Sequence, residues 1–392
     1  MFGKGLLAIP FIGVLAILWA VLPPRHPRNI PAIPFWVTLL SLFWDIDQEQ
    51  IYKQYIQKPL RTHGAVKIFF AGQWNLLVQR SSYLAEIFKN EEIYQKSGNQ
   101  IKIPHSVTTL SRLETRIGGF IEIIKPGLQG TFDTKLIVAN AQKLCSSIQA
   151  LQYATGNGGV PVQDLVQQFT IANVLHVILQ ADPKKATNTD EPYLHQLQLA
   201  VKREVFKPIF MNFPILDRLS AIIPCRMRAR NMVKQFSAEL EICIRQGQPD
   251  TLDSPKSRNL GARLIAAKEC GIITQKQFQD NLNVIFVAGQ ENPPAPVNID
   301  AVFASQASIW GPTADEFQPE RWGSTNLEIL QRNRQRRARA EFVSFHGGSR
   351  ACLGEKFALL EVRVALVILT KRFSWTLDPE WPDRKTPVSI PS

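Results

Sequence analysis

The sequence predicts a mainly α-helical protein with a small β portion, carried behind an N-terminal transmembrane helix. Three observations predict it. Long stretches repeat apolar residues every three or four positions, the spacing of one helix face. A single short stretch, Val66–Gln79, is rich in β-branched and aromatic residues and turns at Ala71-Gly72-Gln73, the pattern of a hairpin. The segment from Gly5 to Pro24 carries no charge and is long enough to cross a bilayer.

The N-terminal run includes Leu6, Leu7, Ile9, Phe11, Ile12, Val14, Leu15, Ile17, Leu18, Trp19, Val21 and Leu22. It exceeds the apolar core of a signal peptide and no small-x-small cleavage site follows, so residues 1–24 are expected to be an uncleaved anchor. Charge does not fix its orientation, because Lys4 on one side faces Arg25 and Arg28 on the other. Residues 25–34 contain Pro27, Pro31 and Pro34 just after Pro23 and Pro24, which excludes helix and favours a stiff extended hinge. Residues 35–392 form the body.

Within the body, helices are expected at YLAEIF after the hairpin, from Leu136, and from Val162. Thr274-Gln275-Lys276-Gln277 fits a capping box. The helix it starts should bury Phe278, Leu282, Ile285 and Phe286 and run to Ala288-Gly289.

Composition narrows the function classes. The 392 residues are 45% hydrophobic, with 22 Phe and 8 Trp, which excludes a disordered chain. The formal charge of +12 fits attraction to an anionic membrane or an acidic partner protein. Nucleic-acid binding is not expected, since no zinc-finger spacing or other nucleic-acid signature accompanies the charge. Five cysteines without a Cys-x-x-Cys pair point to reduced thiols and a reducing compartment. The six histidines show no metal-binding spacing.

The chemistry is concentrated near the C-terminus. Phe345-His346-Gly347-Gly348-Ser349-Arg350-Ala351-Cys352-Leu353-Gly354 matches Phe-x-x-Gly-x-Arg-x-Cys-x-Gly at Phe345, Gly348, Arg350, Cys352 and Gly354. On its own Cys352 reads as a buried cysteine in a Gly-rich turn before a helix. With the other four positions in place, the loop resembles the haem-thiolate loop of cytochromes P450. The resemblance implies haem b (heme b) as cofactor and Cys352 as the ligand to its iron. A cysteine thiolate pushes electron density onto haem iron and favours O–O cleavage. It must be kept anionic and shielded, hence a tight loop with backbone N–H groups near the sulfur. Gly348 and Gly354 permit the turn, Arg350 offers a fork to a haem propionate, and Phe345 packs on the side away from the haem. The next helix presents Phe357, Leu360, Val364 and Leu366–Val367 for packing under the ring.

Asp315–Trp322 resembles the Phe-x-Pro-Glu-Arg-Phe/Trp segment that precedes this loop. Ala288-Gly289-Gln290-Glu291-Asn292 resembles the oxygen-activation stretch. There Gly289 would leave room for dioxygen, Glu291 would be the acid of a proton relay, and Asn292 stands where many P450s carry threonine and can still hydrogen-bond. The blocks AGQWNLLVQ, KSGNQIKIP, KPGLQ, FVAGQENP and FHGGSRACLGEKFALLEVRVAL together are similar to fungal P450s that include the dityrosine spore-wall oxidase and its relatives in secondary metabolism. That likeness implies the cytochrome P450 fold, an anchor in the endoplasmic reticulum membrane with a cytosolic catalytic domain, electrons from NADPH–cytochrome P450 reductase, and a small-molecule substrate, an amino-acid-derived aromatic.

The chain departs from the pattern in two places. No glutamate is followed three residues later by arginine, so the Glu-x-x-Arg pair is missing. Prolines 293, 294 and 296 should end the preceding helix at once. The stretch TTLSRLETRIGGFIEII replaces the expected Trp-x-x-x-Arg helix, with Arg112 or Arg116 as a candidate substitute. Deletions near 107–123 and 293–300 are therefore expected, leaving the P450 fold incomplete. The chain is then either a catalytically inactive remnant with weak or no haem binding, or a reading frame with misplaced exon boundaries. A basic run, Arg332, Arg334, Arg336, Arg337 and Arg339, reads as a solvated connector, as a docking patch for the acidic reductase, or as nuclear targeting, which the anchor opposes.

Overall fold

The computed structural model describes residues 21–44, 46, 48–70, 72–94, 118–156, 159–181, 191–205, 207–219, 221–247, 260–290, 307–313, 318–348 and 351–376. Most of the expected anchor, residues 1–20, lies outside them. Among the described residues, no helix is long and apolar enough to cross a membrane.

The first part is a small αβ unit. α1 (Phe35–Phe43) is followed by α2, which runs Gln48–Ile51, through a π-helical turn at Tyr52–Ile56, to Gln57–His63. β1 (Ala65–Phe70) and β2 (Gln73–Val78) pair antiparallel, with Ala65 opposite Val78 and Phe70 opposite Gln73. The hairpin turns between Phe70 and Gln73, where its sequence predicts, with Gly72 in the left-handed region at φ 79°. Ile33, Val37, Leu60 and Val66 form the apolar centre of this unit.

The proline segment is docked, not free. Ile33 N donates to Lys67 O and Lys67 N donates to Pro31 O, both at 2.8 Å. The buried Lys67 sends its ammonium to Pro24 O at 2.8 Å.

The rest is helical: α3 (Ser81–Lys89), α4 (Gly118–Gln129), α5 (Thr134–Thr155), α6 (Gln163–Asn173), α7 (Glu191–Val205), α8 (Pro208–Asn212), α9 (Pro224–Gly247), α10 (Leu260–Glu269) and α11 (Gln275–Gln290). Next come α12 (Ala307–Trp310), α13 (Asn326–Ala338) and α14 (Glu355–Arg372). A π-helical turn, Val174–Leu179, extends α6. The Asp133 carboxylate accepts from Lys135 N and caps α5. The capping box of α11 is formed in both directions: Gln277 N donates to Thr274 Oγ1 at 3.2 Å, and Thr274 N donates to Gln277 Oε1 at 2.8 Å.

One apolar core joins α4–α7, α9–α11 and α14. α14 packs on α5, α5 on α6, and α11 on α6 and α9. The face expected of α11 is buried in it, with Phe278, Leu282 and Phe286 fully enclosed. Glu241 of α9 ties the outer helices together, accepting from Lys268 of α10 and Gln275 of α11 at 2.9 and 2.8 Å.

One expectation about α14 is corrected. Leu366 and Val367 do not pack inward; both are 53% exposed. Helical periodicity carries the buried stripe of α14 through Phe357, Glu361 and Ala365, and the two next residues rotate out of it. The arginine run, with Arg332, Arg334 and Arg339 exposed, is helical. It forms α13, whose N-cap Thr325 accepts from Glu328 N at 3.3 Å while Ser324 N donates to Glu328 Oε2 at 2.9 Å.

Candidate functional site

The cysteine loop is closed by its own backbone. Cys352 N donates to Phe345 O at 2.8 Å, which draws the two ends of the loop together just before the start of α14. Gly348 lies at φ 67°, which favours glycine. It is also pressed against the C-terminal end of α3: a Cβ there would sit 2.9 Å from Phe88 O and would collide with the Glu91 carboxylate. A Cβ on Gly354 would come 3.9 Å from Cys352 Sγ, so the backbone at 354 runs beside the sulfur. Phe345 is half-buried and supplies the closing carbonyl. The His346 ring rests on Phe88 with centroids 4.6 Å apart.

The Cys352 thiol is exposed and reduced. Among the described residues no group of three or more His, Cys, Asp or Glu side chains could hold a metal ion. An exposed thiol with glycine backbone beside it fits the single protein ligand of a haem-thiolate iron.

Behind the loop, α14 carries a buried carboxyl. Asn140 Nδ2 donates to Asn173 Oδ1, and Asn173 Nδ2 donates to Glu361 Oε1, both at 2.7 Å. Burial pushes the Glu361 carboxyl up to about 7, although the Asn173 hydrogen bond opposes the shift. Nothing in the local sequence announces this hydrogen-bonded trio as a whole. Its one local signal is a carboxylate at position 361, four residues from both Phe357 and Ala365 on a stripe that is otherwise apolar.

Gly289 lies where a side chain would meet a neighbouring helical turn. The direction its side chain would take faces Val174, with a Cβ only 2.6 Å from Val174 Cγ2. Its small size therefore lets α11 approach the π-turn after α6; the missing side chain does not face open space. Ala288, one residue earlier, is exposed. Glu291, Asn292 and Arg350, together with Arg112 and Arg116, lie outside the described residues, as do 107–117 and 293–300. Residues 118–123 form the start of α4.

The Pro319–Trp322 segment is a 3-10 turn. Arg321 donates to Trp310 O at 2.9 Å and to Thr313, and Trp322 stacks edge-on with Phe342 at 5.0 Å. From α13, Arg337 makes a two-pronged bond to Glu355 at 2.7 and 2.8 Å, joining this helix to the first turn of α14, three residues from Cys352. Arg336 pairs with Glu341 at 2.8 Å, whereas Arg332, Arg334 and Arg339 are exposed.

Comparison with known proteins agrees with this geometry. The family model described as Cytochrome P450 matches residues 297–390. Cytochrome P450-DIT2 of Saccharomyces cerevisiae is 31% identical over 476 aligned residues, covering 98% of this chain and 96% of that protein. Cytochrome P450 monooxygenase xanG of Aspergillus fumigatus is 29% identical, covering 98% of this chain and 89% of that protein. Among solved structures, a cyanobacterial CYP120A1 with bound retinoic acid superposes with a TM-score of 0.54 at 14% identity, over 90% of this chain and 93% of that one. At 31% identity over nearly the whole of both chains, this chain belongs to the cytochrome P450 monooxygenase family.

Proposed function

We propose that this chain is a haem-thiolate monooxygenase in which Cys352 ligates the iron of haem b and a small, amino-acid-derived aromatic is the substrate. The observation that carries the reading is the closed loop that presents an exposed, reduced Cys352 at the head of α14. When bound, the haem supplies activation of dioxygen, one atom of which enters the substrate. The chain's own residues hold and shape. Phe345 closes the loop through its carbonyl, Gly348 lets it lie against α3, Gly354 brings backbone beside the sulfur, and Arg350 is assigned to a propionate. Glu291 and Asn292 are assigned to proton delivery beyond the end of α11. The aromatic substrate class, extending to dityrosine formation, rests on likeness to the yeast relative at 31% identity.

Membrane attachment through residues 1–24, in the endoplasmic reticulum with the catalytic domain facing the cytosol, belongs to the same proposal. It is supported by the uncharged N-terminal run and by exposed apolar side chains nearby: Phe43 at 72% and Trp44 at 60%, with Ile215 and Ile222 at 59% and 78%. NADPH–cytochrome P450 reductase is the proposed electron donor. The exposed Arg332, Arg334 and Arg339, on a helix tied by Arg337 to the foot of the cysteine loop, support a docking surface there.

A second reading has its own observation. The alignment to the yeast relative spans 476 positions although this chain has 392, so the relative carries internal stretches that this chain lacks. The absent Glu-x-x-Arg and Trp-x-x-x-Arg motifs fall in keeping with that. On this reading the chain is a non-catalytic remnant. The reduced carbon monoxide difference spectrum of the full chain, expressed in microsomes with haem supplied, decides between them. A Soret band at the thiolate position that Cys352→Ala abolishes supports the monooxygenase. Absence of that band in the unsubstituted chain supports the remnant.

A further inference from the structure

We propose that Asn140, Asn173 and Glu361 form a positioning chain that sets the register of α14 and thereby holds the Cys352 loop in its ligating geometry. This rests on the reading of Cys352 as haem ligand. The three side chains come from three helices, α5, α6 and α14, and meet through two directional bonds of 2.7 Å. Around them the interface is apolar: Ile137, Ala141 and Leu144 of α5 face the stripe that includes Phe357 and Ala365. Apolar packing alone tolerates a helix sliding against its neighbours. A buried polar chain does not, because any slip leaves Asn173 and Glu361 enclosed without partners. Asn173 is fully buried and Glu361 nearly so.

The position of the chain gives it leverage. Cys352 precedes the first residue of α14 by only three positions, so the register of that helix is the register of the loop. Asn173 is the last residue of α6 before the π-turn, and Val174 is the residue against which Gly289 of α11 rests. One junction thus touches both the helix behind the cysteine and the helix bearing the oxygen-activation stretch. The two bonds need an acceptor at position 361, not a negative charge. A protonated acid serves, in keeping with a carboxyl raised by burial.

The test uses the full chain and two readouts. Amide hydrogen exchange of the 345–354 segment reads the loop without depending on bound haem, and the reduced carbon monoxide difference spectrum reads ligation. Glu361→Gln keeps the acceptor and Glu361→Leu removes it. The loop amides should exchange about tenfold faster in Glu361→Leu than in the unsubstituted chain, the size expected when a buried donor loses its partner, while Glu361→Gln stays close to the unsubstituted protein. The thiolate band should lose intensity to the thiolate-free band in Glu361→Leu alone. If Glu361→Leu fails to fold, Asn140→Ala, which removes only the half-buried end of the chain, should give a smaller increase in the same loop. Exchange at 345–354 that is equal in the apolar variants and the unsubstituted chain overturns the proposal. A spectrum that shows no thiolate band in any variant overturns the ligand assignment instead, and the exchange result still decides the positioning role.

Discussion

Substituting Gly289 separates packing from oxygen access as the reason for a glycine in this stretch. A Cβ at 289 would lie 2.6 Å from Val174 Cγ2. Carbon atoms in contact sit at about 3.5–4.0 Å, so Gly289→Ala must displace one helix or the other by roughly 1 Å. Val174 is fully buried, and overpacking of this kind costs about 1–3 kcal/mol. Alanine returns about 1 kcal/mol of helix propensity, leaving a net loss of about 0–2 kcal/mol. That number alone discriminates poorly; the double-mutant cycle with Val174→Ala discriminates well. Removing the valine methyls costs about 2 kcal/mol by itself, yet it opens the space that the new methyl needs. In that background Gly289→Ala should stabilise by about 1 kcal/mol, giving a coupling of about 1–3 kcal/mol. Urea unfolding of the four proteins, followed by far-UV circular dichroism, measures it. Equal effects of Gly289→Ala in the two backgrounds, within about 0.5 kcal/mol, would refute the packing account and return this glycine to the open face.

Two further perturbations follow from buried polar groups. Glu361 titrates at about 7 in the fold against an ordinary 4.5, so the fold binds its proton more tightly than the unfolded chain does. The stability it contributes is therefore present below pH 4.5 and lost as pH rises through about 7, amounting to about 3 kcal/mol, and Glu361→Gln should gain that much on the unsubstituted protein between pH 4.5 and 8; parallel urea-midpoint curves would contradict it. Arg226, fully buried at the start of α9, donates to Asp217 Oδ1 and to the carbonyls of Glu204 and Val205 and lies 4.1 Å above the Phe210 ring. Arg226→Met should cost about 3–5 kcal/mol by leaving Asp217 without its cation, and a loss below about 1 kcal/mol would show that water replaces the guanidinium.

What was legible in the sequence was local. The capping box at Thr274–Gln277, the hairpin at 71–72 and the buried face of α11 are each written within a few residues, and each is in place. So is the cysteine loop, whose glycines answer to backbone angles and to close neighbours. α13 is not legible there because Asn326–Ala338 has no apolar periodicity; its helix depends on a Thr325 cap and on arginine bonds to other segments. The partner of Glu361 lies 188 residues earlier, so nothing near position 361 announces a buried acid. Gly289 was legible as a glycine that matters but not as to why, since Val174 reaches it only through the tertiary fold.

The docked proline segment changes how an anchored form of this protein would move. Fixed at Pro24 through Lys67 and at Pro31 and Ile33 through β1, residues 24–33 contribute no slack to a tether. A span ending near residue 22 would leave a leash of only two or three residues, about 10 Å even when fully extended. The body would then tilt with its anchor as a lever tilts with its shaft, and the aromatic rings at Phe43 and Trp44 would be held within reach of the bilayer surface rather than sampling it from a distance. Loosening that grip, as Lys67→Ala would do, lengthens the leash without altering the anchor itself.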